Sequence, residues 1–210
     1  MNAGSTVDTL LAQLIDAGRT AVRSGLVIAS GGNLSVRLPG ERIAVTARGT
    51  WLDRLDNASL SILDLDGNVV GGNPDPSSEW KLHQRTYHVR PDAESVIHLH
   101  PQTTVLLDAL GEEIRLMTLD HAHWVRSIGR VPYNPNGSDE LADTTAEQSR
   151  IHNCVIQAHH GCSCIGGDVA MALRRAMSLE QAAVATYQAL LLGDRRTSFP
   201  SDAFATLNHA

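Results

Sequence analysis

The chain has 210 residues, of which 42% are hydrophobic and 4% are aromatic. This length allows one domain with a sizeable core, so we expect a single domain over 1–210, with a core over about 7–192 and an irregular tail over 193–210. The 17 basic and 23 acidic residues give a net charge of −6, which excludes a basic surface for nucleic acid or for an anionic membrane. An anionic substrate must therefore be held by local groups.

The cysteines and the N-terminus indicate the cellular compartment in which we expect this protein. No apolar run approaches the ~18 residues of a membrane span, and no charged segment followed by an apolar block opens the chain. Cys154, Cys162 and Cys164 are odd in number and clustered, unlike the cysteines of a secreted disulfide framework. We expect a cytoplasmic protein with buried thiols. A structural zinc site built from these cysteines and a histidine is an alternative, although Cys-x-Cys lacks the usual spacer.

Apolar periodicity predicts helices and short strands in alternation. Helical spacing with caps and stops predicts helices over 6–24, 76–89, 102–110, 138–152 and 168–192. Short apolar or alternating runs predict strands over 34–38, 43–46, 60–65, 95–99 and 154–158. Hairpin turns at Pro39-Gly40 and Asp66-Gly67 indicate an antiparallel sheet edge in the first half of the chain.

Two histidines lie two residues apart at the end of the predicted strand over 95–99. Because alternate side chains of a strand share a face, His98 and His100 should project together. His160 precedes Gly161, which we expect to end another strand, and supplies a third imidazole. Three neutral imidazole nitrogens suit Zn²⁺ or a similar divalent ion and leave at least one coordination position open for substrate.

The other histidines are interpreted separately, because a lone histidine is usually a polar residue with ordinary hydrogen bonds. This interpretation is applied to His83, His88, His152 and His209. A competing metal geometry, the cupin site, places a glutamate within a few residues of His-x-His. Glu112 is too far downstream, and helices flank the strand, so the cupin hypothesis is weak.

Two glycines and two serines frame a candidate anion site. Gly31 and Gly32 allow close backbone approach, and Asn33 offers an amide. Ser77 and Ser78 can hold a dianion through their hydroxyls and helix-terminal N–H groups. A plain turn is the alternative interpretation of the glycines.

Two charged residues flank this candidate site. Glu79 either stabilises the predicted helix, through its negative charge at the positive end of the helix dipole, or serves as a general acid/base. The two roles are compatible. Arg48 is either a surface cation or a bidentate clamp for a phosphate or a carboxylate.

Five motifs together resemble the class II aldolase/adducin family. In chain order they are Ser30-Gly31-Gly32-Asn33-Leu34-Ser35, Thr46-Ala47-Arg48-Gly49, Ser77-Ser78-Glu79-Trp80, His98-Leu99-His100 and His159-His160-Gly161. The resemblance covers about residues 7–192 and implies an α/β fold of the layered α+β type, with a central, mainly antiparallel sheet flanked by helices. It also implies a homotetramer.

The resemblance assigns residues to a metal and to a phosphate. It implies one Zn²⁺ per chain, or another divalent metal such as Mn²⁺ or Co²⁺, held by His98, His100 and His160. Positions that match the family's substrate-phosphate site are Gly32, Asn33, Arg48, Gly49, Ser77 and Ser78.

The chain departs from the family after the metal strand. Aldolases of the family carry a catalytic tyrosine there and epimerases carry an aspartate, whereas this chain has Asp120, His121 and His123. These three residues are candidates for acid/base or substrate-contacting roles. A second family tyrosine near the C-terminus is not evident.

The resemblance implies a metal-dependent aldolase that cleaves a ketose 1-phosphate to dihydroxyacetone phosphate and an aldehyde. A chelated cation would stabilise an enediolate as a Lewis acid, and Glu79 would transfer the proton. Alternatives on the same scaffold are a decarboxylase, a dehydratase or a 4-epimerase acting on a phosphorylated or carboxylated substrate. A metal-free, adducin-like interaction domain is a third hypothesis, and the complete set of three histidines and Glu79 argues against it.

Overall fold

The computed structural model describes residues 3–207, which contain five α-helices and eight β-strands. The helices are α1 (Ala3–Arg23), α2 (Trp80–Val89), α3 (Gln102–Ala109), α4 (Asp139–Ser149) and α5 (Val169–Leu191). The strands are β1 (Asn33–Leu38), β2 (Arg42–Thr46), β3 (Leu60–Asp64), β4 (Val69–Gly72), β5 (Ser95–Leu99), β6 (Ile128–Val131), β7 (Cys154–Gln157) and β8 (Gly161–Gly166). Within residues 3–207, no helix has the length and hydropathy that crossing a bilayer requires.

All eight strands form one sheet in the order β4-β3-β2-β1-β5-β8-β7-β6. Every neighbouring pair is antiparallel except β6 and β7, which are parallel. Helices pack on both faces. The expected α/β fold with a central, mainly antiparallel sheet flanked by helices is therefore confirmed. The pairing of β1, β5 and β8 places Asn33 opposite His98 and His98 opposite Ser163.

Three strands were not predicted, namely β4, β6 and β8. Strand β8 reads Gly-Cys-Ser-Cys-Ile-Gly and lies between β5 and β7, so it is buried on both faces and lacks the alternation of a half-exposed strand. The prediction that Gly161 ends a strand was wrong, because this residue begins β8. His160 lies in the turn before it, where its N–H donates to Gln157 O at 3.1 Å.

Helix α2 begins at Trp80, four residues later than the predicted start at Pro76. The preceding residues are instead tied to the end of β2, because Ser77 N–H donates to Thr46 O at 3.0 Å and Pro76 forms a bridge with Ala47. This connection holds the start of α2 against the sheet. In the tail, the predicted irregular chain contains one short 3-10 helix, Ala203–Thr206.

Two apolar cores lie on opposite faces of the sheet. The larger core contains Ile97 and Leu99 of β5 with side chains of α1 and α5, and the smaller contains Val96 with side chains of α2 and α4. Since side chains alternate along a strand, His98 projects on the same side as Val96, toward α2. The period of β5 thus places this histidine on the face where Glu79 precedes the helix.

The three cysteines are free and fully buried in the larger core. Within residues 3–207, no cysteine belongs to a group of side chains close enough to hold a metal ion. The alternative of a structural zinc site is therefore wrong for the described part of the chain, and Cys154, Cys162 and Cys164 act as small apolar residues.

Candidate metal and acid–base site

Three imidazoles from two segments converge on one point. Ring centroids of His98, His100 and His160 are 4.9–5.0 Å apart in all three pairs. The Nε2 atoms of His98 and His100 are 3.0 Å apart. With the Glu79 carboxylate, the three rings form a group in which one ligand atom of each residue lies within 4.8 Å of all the others. The structure therefore brings together all three predicted metal ligands and the predicted acid/base.

Glu79 is the residue directly before α2, and its buried carboxylate faces the histidines. Oε2 accepts a hydrogen bond from Asn33 Nδ2 at 2.8 Å and lies 3.4 Å from His98 Nε2. Oε1 lies 3.5 Å from His160 Nε2 and has no hydrogen-bond partner within residues 3–207. The carboxylate does not cap the helix. Its position at the helix N-terminus still favours the ionised form.

The electrostatics of this group suit a divalent cation. Burial lowers the pKa of His98 well below its usual value, and burial with the nearby His160 lowers the pKa of His100 to about 4, so both rings stay neutral. Burial raises the pKa of Glu79, while His160 and the Asn33 hydrogen bond act in the opposite direction. A buried oxygen without a partner costs about 1–3 kcal/mol, which a cation beside Glu79 Oε1 would offset.

A second layer of side chains orients His98. Its Nδ1 lies 3.1 Å from Ser163 Oγ, which also accepts from Gln157 Nε2 at 2.9 Å. A serine that accepts from Nδ1–H leaves Nε2 with its lone pair directed at the other rings, which is the tautomer a metal ligand requires. Neither Ser163 nor Gln157 was predicted, because they lie on β8 and β7 and reach His98 only across the sheet.

Gly161 permits the close approach of the three rings. A Cβ at this position would lie 2.4 Å from Leu99 O, 2.7 Å from His100 Cδ2 and 3.3 Å from His98 Cε1. The first two distances are far below van der Waals contact. Only a glycine therefore fits at the start of β8 while His98 of β5 and His100, which follows the strand, keep their positions.

A cleft of about 90 Å³ opens beside this group. All six residues predicted to bind the substrate phosphate line it, as does Gly31 of the predicted anion site. The lining also includes four residues that were not predicted for this role, Ser30, Ala47, Thr50 and Asn136. Asn136 enters from the loop before α4, where Gly137 packs against the backbone of Ser78.

Two of the predicted phosphate residues are already engaged within the chain. The side-chain amide of Asn33 donates to Glu79 and lies 2.5 Å from His83 Nε2 through Oδ1. Arg48 forms an exposed ion pair with Asp75, with 3.3 Å between Nε and Oδ1. Because exposed pairs contribute little to stability, this guanidinium can exchange Asp75 for an anion in the cleft.

Asp120, His121 and His123 lie apart from the cleft. Asp120 and His121 line a second cavity of about 560 Å³ beside α5, and the ring of His123 packs on Trp124 with centroids 4.3 Å apart. None of the three lines the cleft at Glu79. The fold of one chain therefore does not bring this segment to the metal candidates.

The remaining histidines have ordinary polar partners. His88 Nε2 lies 2.8 Å from Leu65 O, and His152 Nδ1 lies 2.8 Å from Ser127 Oγ. His83 is bonded at both ring nitrogens, and one of its partners is Asn33 of the site. The interpretation as satisfied polar residues is confirmed for these three, and His209 lies outside the described residues.

The buried His83 predicts a pH dependence of stability. Burial lowers its pKa to about 3 in the folded protein, whereas an unfolded histidine titrates near 6.5. Between these values the unfolded chain binds more protons, so the free energy of unfolding should fall as pH falls below about 6.5, by about 1.4 kcal/mol per unit for this group. Urea unfolding of metal-free protein from pH 5.5 to 8 measures the slope. His83→Gln should remove this part of it, and equal slopes would contradict the prediction.

A buried carboxylate that faces three imidazoles beside a cleft is a candidate site for a divalent cation. The chain belongs to the class II aldolase and adducin family, since the profile described as the Class II Aldolase and Adducin N-terminal domain matches residues 12–187. The family resemblance drawn from the motifs is confirmed.

Similar proteins of this family carry different activities. Over 166 residues the chain is 36% identical to L-fuculose phosphate aldolase from Methanocaldococcus jannaschii, covering 79% of this chain and 89% of the relative. Over 175 residues it is 30% identical to 3-oxo-tetronate 4-phosphate decarboxylase from Haemophilus influenzae, covering 81% and 83%. Its structure resembles YgbL from Klebsiella pneumoniae, a candidate aldolase, epimerase or decarboxylase, with a TM-score of 0.87, 27% identity and coverage of 96% and 98%. The chain is thus a member of a family of aldolase-like lyases.

Proposed function

We propose that this protein is a divalent-metal-dependent aldolase that cleaves a ketose 1-phosphate to dihydroxyacetone phosphate and an aldehyde. The observation that carries the proposal is the convergence of Glu79 and three histidine rings within 4.8 Å beside a cleft lined by the phosphate candidates. The similarity to an L-fuculose phosphate aldolase over 79% of the chain supports it.

The ligands in this proposal are His98, His100 and His160, with one Zn²⁺ per chain as the first choice and Mn²⁺ or Co²⁺ as alternatives. When bound, the cation supplies a Lewis acid for the oxygens of the substrate. Neutral imidazoles and a buried carboxylate oxygen without a partner fit such an ion. The second Glu79 oxygen is committed to Asn33, so the protein itself sets which carboxylate atom remains free.

Glu79 is the proposed general acid/base. Its free oxygen, Oε1, can hold the proton that carbon gains in cleavage and loses in the reverse reaction. Burial excludes water and raises the pKa of this carboxyl, which increases the fraction able to donate near neutral pH. The chain thus supplies both the proton carrier and the dry environment around it.

The proposed phosphate site uses the N-terminal end of α2 and two loops. Ser77 and Ser78 precede the helix, whose exposed N–H groups and dipole favour a dianion, and Gly32 allows the β1 backbone to approach. A Cβ at position 32 would lie 2.6 Å from His98 O, so a glycine is required there. Gly49 and Arg48 close the other side of the cleft.

A decarboxylase on the same scaffold is the second candidate, and dehydration or 4-epimerisation are further variants. The exposed ion pair between Arg48 and Asp75 favours the decarboxylase, because a guanidinium at the cleft can bind a substrate carboxylate as readily as a phosphate. The relative from Haemophilus influenzae, named as a decarboxylase of a phosphorylated acid, supports this alternative.

We also propose a homotetramer and a cytoplasmic location, which follow from the family resemblance and the composition. Asp120, His121 and His123 line no part of the cleft in their own chain. Their acid/base or substrate-contacting role stays a prediction, which a structure with bound substrate would test. Metal-loaded protein should be screened with ketose 1-phosphates and hydroxy acids, with dihydroxyacetone phosphate and carbon dioxide assayed separately. Carbon dioxide without the triose would replace the aldolase by the decarboxylase.

Metal binding gives a test that does not depend on the substrate. At a Zn²⁺ concentration 100 times the dissociation constant, the folded state should gain about 2.7 kcal/mol, which corresponds to a rise in Tm of about 5–10 °C. Metal analysis should find about one equivalent per chain. His100→Ala should abolish both effects. Less than about a tenth of an equivalent, with no gain in Tm, would favour a metal-free interaction domain.

A further inference from the structure

A continuous chain of buried side chains lies behind Glu79. Tyr87 Oη is 2.8 Å from Ser35 Oγ, and Ser35 Oγ is 2.7 Å from His83 Nδ1. His83 Nε2 is 2.5 Å from Asn33 Oδ1, and Asn33 Nδ2 is 2.8 Å from Glu79 Oε2. All five side chains are at most 5% exposed. We call this set the β1–α2 network.

The two-residue spacing of side chains on β1 and the four-residue spacing on α2 together produce this network. Asn33 and Ser35 are two residues apart on β1 and therefore share a face, while Glu79, His83 and Tyr87 follow one another at intervals of four along the start and length of α2. Strand and helix residues thus alternate in space along the network. This face of α2 is directed at β1, the strand that pairs with β5 and places Asn33 opposite His98.

Chemistry gives the network one direction. An ionised carboxylate only accepts, so Asn33 must present its NH₂ group to Glu79 and its carbonyl oxygen to His83. His83 must then carry its proton on Nε2 and accept from Ser35 at Nδ1, and Tyr87 donates to Ser35. Burial lowers the pKa of His83 to about 3, so the ring stays neutral and keeps one donor and one acceptor.

The opposite orientation of Asn33 is disfavoured at both ends. It would place the amide oxygen 2.8 Å from Glu79 Oε2 and the NH₂ group against the Nε2 proton of His83. Either mismatch leaves buried polar atoms without partners, at about 1–3 kcal/mol each. The carboxylate of Glu79 therefore fixes which group Asn33 presents, and the Nε2–H of His83 holds the amide in that orientation.

We propose that His83, supported by Ser35 and Tyr87, is a positioning residue that holds the Asn33 amide so that Asn33 anchors Glu79 Oε2 and leaves Oε1 directed at the reacting carbon. The inference rests on the proposed acid/base role of Glu79. His83 does not line the cleft itself and reaches it through its contact with Asn33. Its removal should lower the rate of the proton-transfer step without weakening phosphate binding.

The kinetic test compares two replacements of His83 in the metal-loaded enzyme. His83→Phe keeps the ring shape but removes both nitrogens, and it should lower kcat by about 10- to 100-fold with KM changed less than about threefold. His83→Gln can donate to Asn33 and accept from Ser35, so it should restore most of kcat. His88→Gln, an exposed histidine of the same helix, is the control and should behave as wild type.

A double variant separates this role from a purely structural one. If His83 acts through Glu79, Glu79→Gln combined with His83→Phe should be no slower than Glu79→Gln alone. If the double variant lowers kcat by the product of the two single losses, the proposal is wrong. It is also wrong if His83→Gln is as slow as His83→Phe. If His83→Phe does not fold, Tyr87→Phe takes its place in the comparison with wild type and with Glu79→Gln, with a smaller expected loss of kcat.

A spectroscopic readout distinguishes failure of the network from failure of the proposed function. ¹⁵N NMR of the wild type should show His83 neutral at pH 7, with Nε2 protonated and Nδ1 unprotonated. An Nδ1-protonated ring would overturn the network directly. Full turnover of Glu79→Gln with the expected His83 tautomer would instead overturn the acid/base role of Glu79 and, with it, the catalytic purpose of the positioning.

Discussion

Replacing Glu79 by glutamine is expected to lower kcat by about 10²- to 10⁴-fold. Glutamine has nearly the same shape and can still accept a hydrogen bond from Asn33 through its amide oxygen, so the fold should be retained. It cannot carry a proton at the free position that Glu79 Oε1 occupies beside His160. Steady-state kinetics of metal-loaded protein on the substrate found by the screen measure the loss.

The same variant reports whether Glu79 is also a required metal ligand. If the three histidines suffice, Glu79→Gln should keep about one equivalent of metal and its thermal stabilisation by Zn²⁺. Glu147→Gln, which replaces an exposed acid paired with Arg150, is the matched control and should leave kcat unchanged. A folded, metal-loaded Glu79→Gln enzyme with full turnover would remove Glu79 from the mechanism.

Replacing Gly161 by alanine is expected to weaken metal binding by at least about tenfold, although residue 161 contributes no ligand atom. The new Cβ would meet Leu99 O at 2.4 Å and His100 Cδ2 at 2.7 Å. Because Leu99 O belongs to the backbone, the start of β8 must move away from β5, and the His100 ring must also shift. Both movements separate the ligand atoms that now lie within 4.8 Å of one another. Chelator competition with Zn²⁺ measures the affinity.

Gly167→Ala is the matched control for this substitution. Residue 167 follows the end of the same strand, and a Cβ there meets nothing within 4 Å. The control should bind Zn²⁺ as the wild type does. Wild-type affinity in Gly161→Ala would show that the rings tolerate the extra methyl group and that the close packing at β8 is not what holds them together.

Local patterns in the sequence were enough for much of the site. The two-residue period of a strand predicted that His98 and His100 share a face, and the structure places them with Nε2 atoms 3.0 Å apart. Serines before a predicted helix indicated an anion site, and Ser77 and Ser78 line the cleft. These features depend on neighbours in the chain, so their geometry follows from backbone periodicity.

Contacts between distant segments could not be predicted in this way. Strand β8 has no alternating pattern because β5 and β7 cover it, and His160 reaches the site only through the turn before that strand. The family resemblance made the Asp120 segment a candidate part of the site, yet Asp120 and His121 line a separate cavity. Sequence distance carries no information about which sheet edge or cavity a loop meets.

The sequence by itself determined the family, the residue types of the metal candidates and the common side to which His98 and His100 project. Only the tertiary structure decided that Asn33 is committed to Glu79 and His83, and that one oxygen of Glu79 stays free. The physical reason is that periodicity reports only on residues that are neighbours in the chain. The partners of a buried polar group depend instead on the register of β1 against β5 and on the packing of α2 over both strands.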